Sequence, residues 1–293
     1  MTYIQNQKLK TPRKAHKARR FILLGFALIV ILAIGIYYLI LPGQLDSHYL
    51  NTIRAVYAQQ QAQIGIVDKT FSNPVFTTHT VSPSSQAQDL ASISAVIQNA
   101  TAATNTLAAK NSLTLLPGTE RFSAVAQTSK RYKAMQEYIN DSKTFLANYQ
   151  ADITYITQFR QIENSAQLPA FFTAMTTVDH ATTATQLLAA AHSASVDVNN
   201  ITKSLHALNA PADFQQINAS LAATVNDTNN AFVDIITGVQ GENAEQVANS
   251  ILSFNAAARP LQGFSTTDVS SNIDRQSQAY QEMIQLRTEH PLQ

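Results

Sequence analysis

The feature that most constrains the fold of this sequence is a run of twenty-one uncharged residues from Phe21 to Leu41. Fifteen of these residues are Leu, Ile, Val or Phe. A helix rises ~1.5 Å per residue, so a helix of this length crosses a hydrocarbon layer of ~30 Å. The run therefore predicts one transmembrane helix over 21–41, which begins at Phe21 and ends at Leu41.

The residues around this run predict its orientation. Tyr37 and Tyr38 lie near its second end, where aromatic side chains favour the level of the lipid headgroups. Cations next to a membrane span usually stay in the cytoplasm. We therefore expect residues 1–20 to form a basic cytoplasmic tail and the chain beyond Leu41 to lie outside the cytoplasm, anchored in the cell membrane. Seven cations and no carboxylate precede the run: Lys8, Lys10, Arg13, Lys14, Lys17, Arg19 and Arg20.

A cleaved signal peptide is the alternative interpretation of the same residues. The apolar part of a signal peptide usually has ~7–15 residues and ends at a small-x-small cleavage site. Here the uncharged stretch continues to Leu45 with no such site close behind it. The sequence therefore favours an uncleaved anchor and leaves cleavage open.

The composition beyond Leu41 excludes some classes of partner. This part carries 13 Lys/Arg against 19 Asp/Glu, a net charge of −6. Nucleic-acid binding needs clustered cations, and the local cluster of Lys130, Arg131 and Lys133 is interpreted as a solvated helix face. The chain has no Cys, so it forms no disulfide and must be stabilised by burial. We expect no nucleic-acid partner.

Apolar residues recur at spacings of three and four beyond the membrane run, which is typical of amphipathic helices. Pro42-Gly43 predicts a break directly after the run, and the Pro- and Thr/Ser-rich stretch 72–85 predicts a linker. Helices are predicted at about 46–71, 85–110, 119–164, 169–208, 213–239, 242–259 and 268–288.

These patterns predict an all-α fold. The predicted organisation is a basic tail (1–20), a transmembrane helix (21–41), a membrane-proximal helix (42–71), a linker (72–85) and an elongated antiparallel helical bundle (86–293). Residues 90–139 and 187–235 each read as helix, proline-containing turn and helix. Antiparallel hairpins of this kind pack well into bundles, and an internal duplication is left open.

Polar and aromatic residues stand out on the predicted apolar stripes. Gln60 interrupts the stripe of helix 46–71, and Ser142 weakens the stripe of helix 119–164. An aromatic series at helical spacing usually belongs to a core. The alternative interpretation is a face that contacts a ligand or a partner. The aromatic face consists of Tyr138, Phe145, Tyr149, Tyr155 and Phe159.

The sequence shows no local pattern of catalytic or cofactor chemistry. A phosphate-binding loop, a dinucleotide fingerprint and a Gly-x-Ser-x-Gly elbow are all missing. His180 beside Asp179 has no second His at helical spacing, so a helix-borne metal pair is not expected. We therefore expect no enzymatic activity, no cofactor and no metal.

Two functional hypotheses remain. The first is a single-pass membrane protein of structural or interaction type, which holds its helical bundle outside the cytoplasm of a bacterial cell envelope to meet a protein partner. The alternative is an extracytoplasmic small-molecule-binding or sensory domain that acts through a partner protein. The expected partners are the lipid bilayer, through residues 21–41, and a protein outside the cytoplasm.

Overall fold

The computed structural model describes residues 13–73, 82–113, 123–258, 269–273 and 277–293. These residues form helices and connections without a β-strand, so the predicted all-α fold is confirmed. The elements in chain order are α1 (Arg13–Gly35), a π-helical turn (Ile36–Ile40), α2 (Leu41–Thr70), α3 (Pro83–Lys110), α4 (Ser123–Glu163), α5 (Gln167–His180), α6 (Ala184–Ala207), a 3₁₀ turn (Ala212–Phe214), α7 (Gln215–Gln240), α8 (Ala244–Ala258) and α9 (Gln278–Thr288).

The predicted break at Pro42-Gly43 is wrong, because α2 already begins at Leu41 and runs through both residues. A proline inside a regular helix lacks an N–H group, and its ring meets the carbonyl four residues earlier. Here the π-helical turn Ile36–Ile40 ends two residues before Pro42. A π turn pairs groups five residues apart. This local change of pairing fits the proline into a continuous helical path.

The chain divides into two compact units. Unit 1 consists of residues 1–55, 110–135 and 291–293, and unit 2 consists of residues 56–109 and 136–290. In unit 1 the Asp46 carboxylate accepts hydrogen bonds from the Thr128 hydroxyl at 2.6 Å and from the Arg131 guanidinium at 3.0 Å. The Tyr49 hydroxyl donates to the side-chain oxygen of Asn111 at 2.9 Å. These bonds join α2 to the start of α4 and to the segment after α3.

The first helical group of unit 2 contains the later part of α2 together with α3, α4 and α9. Ser94 of α3 contacts Gln150 of α4, whereas the later Thr104 lies near the earlier Ser142, so these two helices run antiparallel. In the same way, α9 runs antiparallel to α2, because Tyr280 packs on Phe71 while Arg287 pairs with Asp68. These antiparallel helices confirm the predicted helical bundle.

The second helical group of unit 2 contains α5, α6, α7 and α8. Phe171, Phe232 and Phe254 fill its core, with ring centroids 6.2 Å and 4.7 Å apart along this series. Small buried residues allow close helix contacts here. A Cβ on Gly238 of α7 would stand 2.9 Å from the Cγ2 atom of Val247 in α8.

Three predicted helix boundaries are wrong. The helix expected over 169–208 is two helices, because Thr183 accepts a hydrogen bond from the backbone N–H of Gln186 and caps a new start. The helix expected over 268–288 is interrupted at residues 271–273, and α9 starts after Ser277, which caps it. Glu242 lies in the turn before α8, with φ at 53°, and not in the first turn of that helix.

Some predicted features lie outside the described residues. These are the middle of the linker (74–81), the proline of the turn between the predicted helices 85–110 and 119–164, and the end of the predicted helix 242–259. Within the part of the chain that the structure describes, no helix combines the length and the apolarity needed to cross a membrane. The predicted transmembrane helix is therefore not confirmed.

Candidate functional site

The aromatic face predicted on α4 lies in the core of unit 2. Tyr138, Phe145, Tyr149, Tyr155 and Phe159 are each between 0 and 5% exposed. A partner at the surface has no access to these rings in this conformation. Their role as a ligand or partner face stays a prediction.

The rings of this face pack against other helices rather than only against each other. Tyr149 stacks on Phe71 with a centroid distance of 4.6 Å, and Tyr155 stacks on Phe214 at 4.7 Å. The Tyr155 hydroxyl donates to the side-chain oxygen of Asn218 at 2.9 Å. Each such aromatic pair adds roughly 0.5–1.5 kcal/mol beyond the burial of its area.

A polar core cluster joins α2, α3 and α4, and consists of Gln60, Gln61, Thr104, Tyr138 and Ser142. The Gln60 amide nitrogen donates to the Thr104 hydroxyl at 3.1 Å and to the Ser142 hydroxyl at 3.4 Å. The Gln60 amide oxygen accepts from the Tyr138 hydroxyl at 2.6 Å. Gln61 donates to the same hydroxyl at 2.7 Å. The polar residues that interrupt the predicted stripes therefore satisfy one another inside the core.

The Tyr138 hydroxyl of this cluster stays protonated near neutral pH. Burial raises the pKa of Tyr138 well above its ordinary value, although its hydrogen bonds with Ser142 and Gln60 oppose the shift. Outside this cluster, burial also raises the pKa of Tyr49 in unit 1 and of Tyr155 in unit 2 to about 12. The polar core cluster is consequently a network of neutral groups, and none of them supplies an acid or base near neutral pH.

A buried carboxyl group lies on α4 at Asp152, which is 2% exposed. Burial is the main cause that raises its pKa to about 8, and the negative charges of Asp213 and Glu282 add to the shift. The side chain is therefore mostly protonated at neutral pH. We call Asp152, Asp213 and Glu282 the carboxyl cluster.

The other two members of the carboxyl cluster hold the start of α9. Asp213 accepts a hydrogen bond from the backbone N–H of Gln278 at 2.9 Å, as an acidic cap at a helix N-terminus does. Glu282 accepts from the amide of Asn148 at 3.0 Å and from the amide of Gln278 at 2.8 Å. The cluster thus joins α4, α9 and the 3₁₀ turn.

Only part of these polar sites is predictable from the sequence. Gln60 and Ser142 interrupt the predicted apolar stripes, but their spacing does not predict that they meet. Asp152 was not predicted, although a signal was present: this residue comes three positions after Tyr149 and four before Ile156, and both neighbours lie on the apolar stripe.

An apolar cavity of about 50 Å³ lies among α4, α5, α6 and α7. Phe171, Val198, Ile201 and Val225 line it, and Glu163 stands at its edge. Small-molecule sites usually measure ~300–1,000 Å³, so this cavity is too small for a metabolite. An open groove of about 420 Å³ runs between α3 and α4.

Large apolar side chains are exposed along α1 and the π-helical turn. Their exposed fractions range from 39% at Val30 to 82% at Leu39. Eight of them lie between residues 23 and 32, so they cover every side of the helix. The exposed apolar residues are Leu23, Leu24, Phe26, Leu28, Ile29, Val30, Ile31, Leu32, Ile34, Ile36, Leu39 and Ile40.

The predicted orientation residues are described only in part. Lys8 and Lys10 lie outside the described residues, and Tyr37 is half-buried at the end of the exposed apolar stretch. For the remaining orientation and anchor residues the structure describes a helical backbone but not the side chains. These residues are Arg13, Lys14, Lys17, Arg19, Arg20, Phe21, Tyr38 and Leu41.

The histidine singled out in the sequence lies at the surface of α5. His180 is exposed, and its Nδ1 atom lies 2.7 Å from the backbone oxygen of Thr176. Across the described ranges, no three His, Asp or Glu side chains are arranged to hold a metal ion. Comparison with known proteins finds no family model, no curated protein and no solved structure that matches this chain.

Proposed function

We propose that this protein is a single-pass membrane protein that holds a helical bundle outside the cytoplasm for contact with an envelope partner. The observation that carries the proposal is the exposed apolar stretch from Leu23 to Ile40. A helix in water buries one apolar side, whereas a helix that is apolar on every side needs an apolar surrounding. A lipid bilayer supplies that surrounding.

The transfer of the exposed apolar side chains from water into lipid contributes a large free energy. Twelve large apolar side chains are exposed in this stretch. Full burial of such a side chain contributes ~1.5–3 kcal/mol, so even at half exposure their transfer out of water contributes on the order of 10 kcal/mol. This figure is comparable with the whole stability of a domain, which is ~5–15 kcal/mol.

The backbone supports the same proposal. The uncharged residues 21–41 are divided among α1, the π-helical turn and the start of α2, which follow one another without a break. A backbone in hydrocarbon must satisfy its hydrogen bonds internally, and a continuous helical path does so. At ~1.5 Å per residue, the 21 residues span ~30 Å.

Orientation and role follow from charge and from packing. The seven cations before Phe21 favour a cytoplasmic N-terminus, which leaves units 1 and 2 outside beyond residue 41. The polar core cluster of unit 2 is satisfied internally, and the apolar cavity among α4, α5, α6 and α7 measures only about 50 Å³. Contact with another protein is therefore the role that the described residues support best.

Membrane extraction tests the anchor. The full chain should stay in the membrane pellet after carbonate washing, and protease added outside the cytoplasmic membrane should remove the part after residue 41. A Leu28→Lys/Ile31→Lys variant places two charges at the centre of the span, at a cost of ~3 kcal/mol each, and should shift to the soluble fraction. Leu28→Ala/Ile31→Ala is the matched control. Release of the unaltered chain by carbonate contradicts the anchor.

Proximity labelling from the C-terminus tests the interaction role. We expect enriched proteins that differ from those labelled by a control, in which residues 1–41 carry an unrelated soluble domain. Identical sets of labelled proteins contradict the interaction role.

The ligand-binding alternative places its ligand in the groove between α3 and α4. The volume of this groove, about 420 Å³, lies in the range usual for small-molecule sites. Reproducible thermal stabilisation of the full chain by one class of metabolite favours that alternative.

A further inference from the structure

The charged side chains are divided unequally between the two units. Among the described residues of unit 1 beyond residue 41 there are five Lys/Arg and one Asp/Glu, a net charge of +4. Unit 2 contains five Lys/Arg and fifteen Asp/Glu among its described residues, a net charge of −10. The net charge of the whole chain conceals this separation.

The basic cluster Lys130, Arg131 and Lys133 lies close to the end of the apolar stretch. The Arg131 guanidinium donates to both carboxylate oxygens of Asp46 at 3.0 Å, which holds this part of α4 beside α2. Asp46 comes five residues after Leu41 in the same helix. At ~1.5 Å per residue, the cluster lies at a level ~7–8 Å beyond the end of the stretch.

Two members of the cluster remain accessible. Arg131 is engaged in an ion pair with Asp46, which also accepts a hydrogen bond from the Thr128 hydroxyl at 2.6 Å. Lys130 and Lys133 are exposed, and neither forms an ion pair with another side chain that the structure describes. The lipid headgroup layer is ~5–7 Å thick on each side of the hydrocarbon. Long lysine side chains extend their charge towards such a layer.

We propose that Lys130 and Lys133 bind the anionic phosphate headgroups of lipids in the leaflet that holds the outer end of residues 21–41. This inference rests on the proposed membrane anchor. A cation near an anionic surface gains about fivefold in affinity per residue. The net charge of −6 beyond residue 41 disfavours the binding of a free polyanion from solution. The anchor, in contrast, brings this basic region to the lipid surface.

Lipid retention by the full chain tests the proposal. The chain is purified in micelles that contain equal amounts of phosphatidylglycerol and phosphatidylcholine, and the bound lipids are counted by native mass spectrometry. We expect preferential retention of phosphatidylglycerol. Lys130→Gln/Lys133→Gln should reduce that preference roughly 5- to 25-fold. Lys143→Gln/Lys203→Gln removes the same charge from exposed positions of unit 2 and should leave the preference unchanged.

The outcomes separate this inference from the anchor. Equal preference for phosphatidylglycerol in the unaltered chain and in Lys130→Gln/Lys133→Gln overturns the headgroup site. Flotation of the full chain with phosphatidylcholine vesicles checks the anchor alone. A chain that floats with these vesicles but shows no anionic preference refutes the headgroup site and leaves the anchor intact. A chain that floats with neither phosphatidylcholine nor phosphatidylglycerol vesicles refutes both.

Discussion

Replacement of Asp152 by Asn should stabilise the protein at neutral pH and remove much of its dependence on pH. Burial raises the pKa of this carboxyl group from its ordinary value of 3.8 to about 8. Between these two values the folded state binds a proton that the unfolded state has released. The free energy of unfolding therefore falls as pH rises, by ~1.4 kcal/mol per pH unit.

The size of this effect follows from the shift. The contribution is fully present below pH 4, and about 4 kcal/mol of it is lost by pH 7. An asparagine keeps the size of the side chain and carries no charge at any of these pH values. At pH 7 the Asp152→Asn variant should accordingly exceed the unaltered protein in free energy of unfolding by up to about 4 kcal/mol.

Urea unfolding followed by circular dichroism at pH 4.5, 6.0 and 7.5 measures this difference. Asp227→Asn is the matched control, because Asp227 is exposed on α7. Burial also raises the pKa of Glu289, so a smaller slope of the same sign should remain in Asp152→Asn. Equal pH dependence of Asp152→Asn and the unaltered protein would refute the reasoning, because it would show that Asp152 ionises freely in the folded state.

Three further substitutions test the packing by urea unfolding. Gln60→Ala should lower the free energy of unfolding by about 3 kcal/mol, because it removes the hydrogen bonds of Gln60 to the buried hydroxyls of Thr104, Tyr138 and Ser142 and opens a cavity; unchanged stability contradicts the polar core cluster. Gly238→Ala should destabilise by ~1–3 kcal/mol, because the new Cβ would stand 3.2 Å from the backbone nitrogen of Val247. Its control, Gly65→Ala, has nothing within 4 Å and should stabilise by ~0.5–1 kcal/mol; similar effects at both glycines count against the close contact. Glu242→Gly should stabilise by about 1 kcal/mol, because φ is 53° there, and a loss of stability would contradict that turn.

The sequence predicted the helices of this protein well where the apolar spacing was long and regular. The predicted helix 85–110 is α3, and the described part of the predicted helix 119–164 is α4. The break between α5 and α6 was missed because apolar residues continue on both sides of it. Thr183 and Gln186 have the spacing of a capping box, and this local signal was available in the sequence.

The polar sites were harder to predict, for a physical reason. A polar residue on an apolar stripe predicts that something must satisfy it, but periodicity within one helix does not identify the partner. Gln60, Thr104 and Ser142 are separated by about 40 residues each along the chain, and only the packing of three helices brings them together. The pKa of Asp152 depends in the same way on its neighbours from the 3₁₀ turn and α9.

The polar core cluster gives the first helical group a register that apolar packing alone would not specify. If α2 slid by one turn, ~5.4 Å, its apolar stripe would still face the same side, because the stripe repeats about once per turn. The Gln60 amide would then lose Thr104, Tyr138 and Ser142 together, and each buried group left unpaired costs ~1–3 kcal/mol. A shifted arrangement is consequently penalised by several kcal/mol, much of the ~5–15 kcal/mol that stabilises a typical domain. Gln60, the buried polar residue that interrupts the apolar stripe of α2, therefore selects one alignment of α2, α3 and α4.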